Sequence, residues 1–217
     1  GVSIVTGDTK VVEKGHGDGL FISTSGLGEK IPDTCVSGKS AKPGDIVLVT
    51  GTMGDHGITI LSQREGLGFE AQVQSDTAPL NHITEALLTA LGEQVHVLRD
   101  PTRGGLATTL NEIAAQSKVS IEIDEQAVPI HPAVASACEF LGLDPLYIAN
   151  EGKLIVIVEE DVAQEALSII RSCKYGENAA VIGRVSSEQP GFVSMKTAIG
   201  GKRLVDWLNS DPLPRIC

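Results

Sequence analysis

Val95-His96-Val97-Leu98-Arg99-Asp100-Pro101-Thr102-Arg103-Gly104-Gly105 holds the organisation of this chain in one stretch. The apolar and β-branched residues at its start read as a strand, which Asp100-Pro101 ends. Two glycines then precede Leu106, Leu110, Ile113 and Ala114, whose spacing marks a helix. The junction also carries chemistry. A carboxylate, a hydroxyl, an arginine and two glycines at a helix start suit phosphate and Mg²⁺. An Asp-Pro turn with an ordinary cap uses the same residues, so both readings stand at this point.

The pattern repeats on either side. Lys42-Pro43-Gly44-Asp45 is a turn before the apolar strand Ile46-Val47-Leu48-Val49-Thr50. Gly51-Thr52-Met53-Gly54-Asp55-His56-Gly57 then leads into a helix over 58–64. Those glycines serve either an anion at the helix N-terminus or close strand–helix packing. His56 reads as a loop or capping residue. Asp76-Thr77-Ala78-Pro79 is a helix-start signal for Leu80, Ile83, Leu87, Leu88 and Leu91, and Gly92 closes that helix. Further on come a strand over 119–123, a helix from Pro132 to Gly142, and a strand over 154–158. A helix from Asp161 and strands over 180–182 and 192–195 complete the series. Strands alternating with helices from about Ile46 to Val185 give an α+β fold with α/β-like layers.

The ends differ. Val2-Ser3-Ile4-Val5-Thr6 is β-rich and runs into Gly7-Asp8-Thr9-Lys10-Val11-Val12, so a strand is expected at 2–6, with another in the glycine-rich segment 15–28 around Leu20-Phe21-Ile22. The Gly-Asp-Thr-Lys turn offers backbone N–H groups, a hydroxyl and a lysine to phosphate, and is equally an ordinary turn. A strand with no hairpin partner before it makes residues 1–30 read as the remnant of a preceding sheet domain, ahead of a mixed α/β domain over 31–206. Residues 207–217 read as a flexible tail ending in Asp211-Pro212-Leu213-Pro214-Arg215-Ile216-Cys217, where two prolines favour extended backbone.

Composition narrows the function classes. The 217 residues carry a net charge of −11, which argues against sequence-independent binding to nucleic acid or an anionic membrane. No apolar run approaches the roughly 20 residues that span a bilayer. The four cysteines, Cys35, Cys138, Cys173 and Cys217, are far apart and lack zinc-ligand spacing. Without a secretory signal they read as reduced thiols of a cytoplasmic protein. Within Asn150-Glu151-Gly152-Lys153, Glu151 sits at the mouth of a buried strand. It is a general-base candidate, although a carboxylate there is commonly a solvated turn residue.

Gly7-Asp8-Thr9-Lys10-Val11, Asp100-Pro101-Thr102-Arg103-Gly104-Gly105, Asn150-Glu151-Gly152-Lys153 and the terminal Pro214-Arg215-Ile216-Cys217 together resemble the HypE family, the maturation proteins that make the cyanide ligands of nickel–iron hydrogenases. The match runs end to end. The terminal motif is the most specific, because aminoimidazole ribonucleotide synthetase, selenophosphate synthetase and other members of the same ATP-binding superfamily lack it. HypE proteins extend further at the N-terminus, where ATP-binding segments and most of a dimer-forming sheet lie, so residues 1–30 are expected to be what remains of that domain.

The resemblance implies an ATP-dependent carbamoyl dehydratase. A partner carbamoyltransferase, HypF, loads a carbamoyl group onto the Cys217 thiol. ATP then converts the S-carboxamide to a thiocyanate, which passes to iron on a HypC–HypD scaffold. It also implies a homodimer, Glu151 as the base that takes the amide proton, and Lys10 as a phosphate or transition-state contact. Asp8 and Asp100 become ligands of Mg²⁺ and nucleotide, with Thr9, Thr102 and Asn150 as further contacts. An extended arm of about ten residues from Trp207 spans at most roughly 33–36 Å, enough for loading at one place and reaction at another. The competing expectation is a non-catalytic cysteine carrier or docking module, since the N-terminal ATP-binding segments are absent.

Overall fold

Two strands of four consecutive apolar residues, β1 (Ile46–Val49) and β4 (Ile155–Val158), sit side by side with every residue buried. Unbroken apolar runs of this kind belong where a sheet is covered on both faces. In the computed structural model, which describes residues 2–17, 19–32, 34–67 and 73–208, that is their position. The remaining elements are α1 (Asp55–Glu65), α2 (Asn81–Leu91), β2 (Val95–Arg99), α3 (Gly105–Ser117), β3 (Ser120–Asp124), α4 (Pro132–Leu141), α5 (Ala163–Ser172), β5 (Ala180–Ser186), β6 (Val193–Lys196) and β7 (Lys202–Leu204). The sheet order is β2-β4-β1-β5-β3-β6-β7. Every neighbouring pair is antiparallel except β3 with β6. Helices and a largely antiparallel sheet make the fold α+β.

Alternate residues of β1 and β4 feed two cores. Ile46, Leu48, Val156 and Val158 pack with Ile83, Leu87, Ala166 and Ile170 of α2 and α5. Val47, Val49, Ile155 and Ile157 pack with Leu106, Leu110 and Ile113 of α3. β3 reads Ser-Ile-Glu-Ile-Asp, with Ile121 and Ile123 buried and the polar residues half-buried, the alternation of a strand covered on one face. A third cluster joins Ile58 of α1 to Val134, Ala137 and Cys138 of α4 and to Ile148.

The chain divides into two units, residues 1–30 and 31–217. The strands expected at 2–6 and around 20–22 are not formed: the described residues of the first unit contain no strand, and Val2, Ile4, Val5, Leu20, Phe21 and Ile22 are exposed. β-branched composition alone does not hold a strand; a paired neighbour and a covered face do. The helix expected from Asp76 starts instead at Asn81, because the Asp76 carboxylate is used elsewhere. β7, three residues with two charges at the sheet edge, carries no apolar pattern by which to read it.

At the Ile46 end of β1, His96 Nδ1 and Asp45 Oδ2 form a buried hydrogen bond at 2.7 Å, with Glu159 Oε1 3.5 Å from His96 Nε2. Asp45 Oδ2 also accepts the Lys42 backbone N–H at 2.7 Å. Replacing His96 by alanine leaves that carboxylate buried with one backbone donor. Urea unfolding of His96→Ala should show a loss of about 3–5 kcal/mol, whereas a loss below about 1 kcal/mol would mean the pair carries no weight.

Candidate functional site

The register of the sheet gathers the site. Val49 and Arg99, the last residues of β1 and β2, both pair with Ile155, the first residue of β4. The loops after β1 and β2 and the segment before β4 therefore meet at one sheet edge. Thr50 stitches the join, its N–H donating to the Leu154 carbonyl at 3.0 Å and its Oγ1 accepting the Leu154 N–H at 2.9 Å.

Asn150 clasps the loops and is fully buried. Its Oδ1 accepts the Gly54 N–H at 2.7 Å, and its Nδ2 donates to the carbonyls of Pro101 at 3.1 Å and Ile148 at 3.0 Å. The Gly57 N–H donates to the Ala149 carbonyl, and a Cβ on Gly57 would come within 2.4 Å of the Ile148 side chain. The glycines at the start of α1 thus serve close packing, and two of its leading N–H groups are already occupied.

The Glu151 N–H donates to Asp76 Oδ1 at 3.0 Å. Gly152 lies flat on residues 76–78, and the Lys153 stem covers Gly51. Lys153 Nζ is 3.7 Å from Asp76 Oδ2 and 3.9 Å from Asp55 Oδ2. The Asp76 side chain is 1% exposed and those of Asp55 and Lys153 11%. Asp55 also accepts a hydrogen bond from the Thr52 hydroxyl. Burial pushes the Asp55 carboxyl above its ordinary value, with Thr52 and Lys153 pulling it back. His56 turns its Nδ1 to Ser75 Oγ at 2.9 Å. Beside these groups a cavity of about 200 Å³ is lined by Thr52, Asp76, Lys153, Tyr175 and Glu177, among others.

Asp55 Oδ1, His56 Nε2, Asp76 Oδ2 and Glu151 Oε1 are buried without a hydrogen-bond partner among the described residues. Each such atom costs about 1–3 kcal/mol of lost hydration. The remaining two such atoms among the described residues are His96 Nε2 and Thr108 Oγ1, so four of six fall at this edge, which makes it the candidate site.

The residues expected from sequence fall in different places. Glu151 and Asn150 are in this cluster, Asn150 with its amide spent on backbone. Asp100 is at the loop after β2, half-exposed, its oxygens accepting from Arg99 at 2.8 Å and Thr102 at 2.9 Å. Asp8, Thr9 and Lys10 belong to the first unit and are exposed, with Asp8 Oδ1 accepting the Thr9 N–H at 2.8 Å. Cys217 lies outside the described residues. No group of three or more His, Cys, Asp or Glu side chains among the described residues is placed to hold a metal ion. A half-exposed carboxylate such as Asp100 fits Mg²⁺ only in its usual manner, through one or two carboxylates together with substrate phosphates. Sequence reasoning missed Asp55, Asp76 and Lys153. The available signal was a lysine directly before an apolar strand, which burial obliges to find counter-charges.

Residues 42–196 match the family model described as AIR synthase related protein, C-terminal domain. A protein of Azotobacter vinelandii named carbamoyl dehydratase HypE is 54% identical over the whole chain, which spans 63% of that relative's length. A crystal structure of a hydrogenase maturation protein HypE in complex with ATP superposes with a TM-score of 0.78 at 54% identity, covering 82% of this chain and 54% of the other. A crystal structure of a HypE–HypF complex gives 0.76 at 51% identity, covering 80% and 56%. The chain spans less than two thirds of the curated relatives it matches. Through residues 42–196 it belongs to the family of AIR synthase related proteins, of which it carries the C-terminal domain, and its resemblance to the HypE hydrogenase maturation proteins holds along its full length.

Proposed function

We propose that the chain carries the base-catalytic part of an ATP-dependent carbamoyl dehydratase whose substrate is held on the thiol of Cys217. The observation that carries this reading is Glu151: its backbone is pinned by Asp76, and one carboxylate oxygen is buried with no partner among the described residues. Such an oxygen is free to take a proton from a group brought to it.

The chemistry balances as follows. The carboxamide oxygen of Cys–S–C(=O)NH₂ attacks the γ-phosphorus of ATP and releases ADP. The amide oxygen, a poor leaving group, thereby becomes a phosphate ester. As the phosphate ester forms, the nitrogen gives up one of its two protons to solvent. Glu151 takes the second, the C≡N bond forms, and the C–O bond breaks to release phosphate and leave Cys–S–C≡N. Lys10 is proposed as the phosphate contact, with Thr9 and Thr102 beside the nucleotide. Asp8 and Asp100 would ligate Mg²⁺, whose chemistry is to neutralise phosphate charge. Asn150 contributes by fixing the loop that carries Glu151. Residues 1–30 are proposed to belong to the nucleotide-binding side, 31–206 to the catalytic domain and 207–217 to the arm. HypF, named in a matching solved structure, is the proposed loading partner. A HypC–HypD scaffold is the proposed acceptor, and a cytoplasmic homodimer the proposed setting.

Intact mass is the test. After incubation with carbamoyltransferase, carbamoyl phosphate and ATP, the protein should gain a carbamoyl adduct and then lose water, and Cys217→Ala should do neither. Cys35 is exposed and Cys173 half-buried, and both are background thiols to remove, by Cys35→Ser and Cys173→Ser. Burial, with Asp144 adding to it, pushes the Cys138 thiol up to about 11, so it stays inert near neutral pH. Water loss by Cys217→Ala would overturn the reading. A chain that carries the adduct but neither binds nor consumes ATP would be the carrier module instead.

A further inference from the structure

Lys153 is nearly buried, and it serves two carboxylates that are themselves buried. Its Nζ lies 3.7 Å from Asp76 Oδ2 and 3.9 Å from Asp55 Oδ2. Neither contact is a hydrogen bond, so the ammonium acts as a shared point charge between them. Removing it would leave Asp55, Asp76 and Glu151 as three acidic groups in one low-dielectric patch, where like charges repel strongly. Asp76 is also the residue that holds the Glu151 N–H, by its other oxygen, at 3.0 Å. The stem of Lys153 presses on Gly51, where a Cβ would meet it at 3.1–3.4 Å. The lysine is therefore held by packing as well as by charge.

We propose that Lys153 is a positioning residue: as the common counter-ion of Asp55 and Asp76 it keeps Asp76 in the conformation that fixes Glu151, and so holds the base in place. This rests on Glu151 being the base. Further charged groups near the cluster are His56 on α1, His131 at the start of α4, which acts electrostatically on Asp55, and Glu177 across the cavity. Of these, Glu177 would add to the repulsion once the lysine is removed.

Lys153→Met in the natural full-length protein should lower kcat for water loss about 100-fold, the scale set by a misplacement of about 1 Å, with KM for ATP unchanged. The double variant Lys153→Met/Asp55→Asn should recover part of kcat by removing one of the repelling charges, and it keeps the test available if the single variant does not fold. A raised KM for ATP with normal kcat would make Lys153 a phosphate contact and overturn the proposal. So would no recovery in the double variant. Glu151→Gln separates the two readings. If it stays active, the base assignment fails whatever Lys153 does. If it is dead while Lys153→Met is normal, only the positioning role fails.

Discussion

Glu151→Gln should stop the loss of water while leaving the carbamoyl adduct to accumulate, with the rate of dehydration falling about 10²–10⁴-fold. The substitution keeps the size of the side chain and the backbone N–H that Asp76 accepts, so the loop should remain where it is. What it removes is the ability to take a proton. Nucleotide binding should persist, because the proposed nucleotide contacts Thr9, Lys10 and Thr102 are other residues. Stability should change little: the native Glu151 Oε1 is buried without a partner among the described residues, and a neutral amide costs less to bury than a carboxylate. Intact-mass time courses of the adduct together with thermal melting measure both quantities. Dehydration at the unsubstituted rate would exclude Glu151 as the base. A fall in melting temperature of many degrees would show instead that its charge is structural.

Local signals singled out Glu151 as a candidate but not the residues that its loop contacts. The runs Ile46–Val49 and Ile155–Val158 announced doubly covered strands, and the acidic, glycine-rich loops at strand ends were visible as loops. Antiparallel pairing of β4 with both β1 and β2 then brings those loops to one edge, which periodicity along one strand does not encode. Asp76 shows why. It stands 75 residues before Glu151 and opens a proline-containing stretch that carries a helix-start pattern. The local rule offered it as a cap, but the tertiary contact took the carboxylate. Lys153 has no role legible in its own motif, because its partners Asp55 and Asp76 come from two other segments. In residues 1–30 the failure ran the other way: β-branched composition promised strands that no neighbour completes among the described residues. The α+β class was readable because it depends on the alternation of elements. The charge clamp was not, because it depends on which ends meet.

Gly152→Ala should be the most destabilising single-methyl change in the site, costing about 4 kcal/mol or more, the range reserved for distinct packing faults. A Cβ built on Gly152 lies 1.7 Å from the Asp76 carbonyl oxygen and 2.8 Å from the Ala78 backbone N. Both obstacles are backbone, so no rotamer change relieves them. The segments must separate, and separation pulls the Glu151 N–H off Asp76 Oδ1 and Lys153 away from its two carboxylates. Gly142→Ala supplies the control. Gly142 ends α4 at φ 67° with open space where a Cβ would go, so its penalty is conformational alone, about 1 kcal/mol. Gly152 has no positive φ, and its penalty is steric alone. Urea midpoints at unchanged slope separate the two variants. Equal losses would mean that residues 76–78 yield easily, and a segment that yields easily cannot be what holds Glu151 in place.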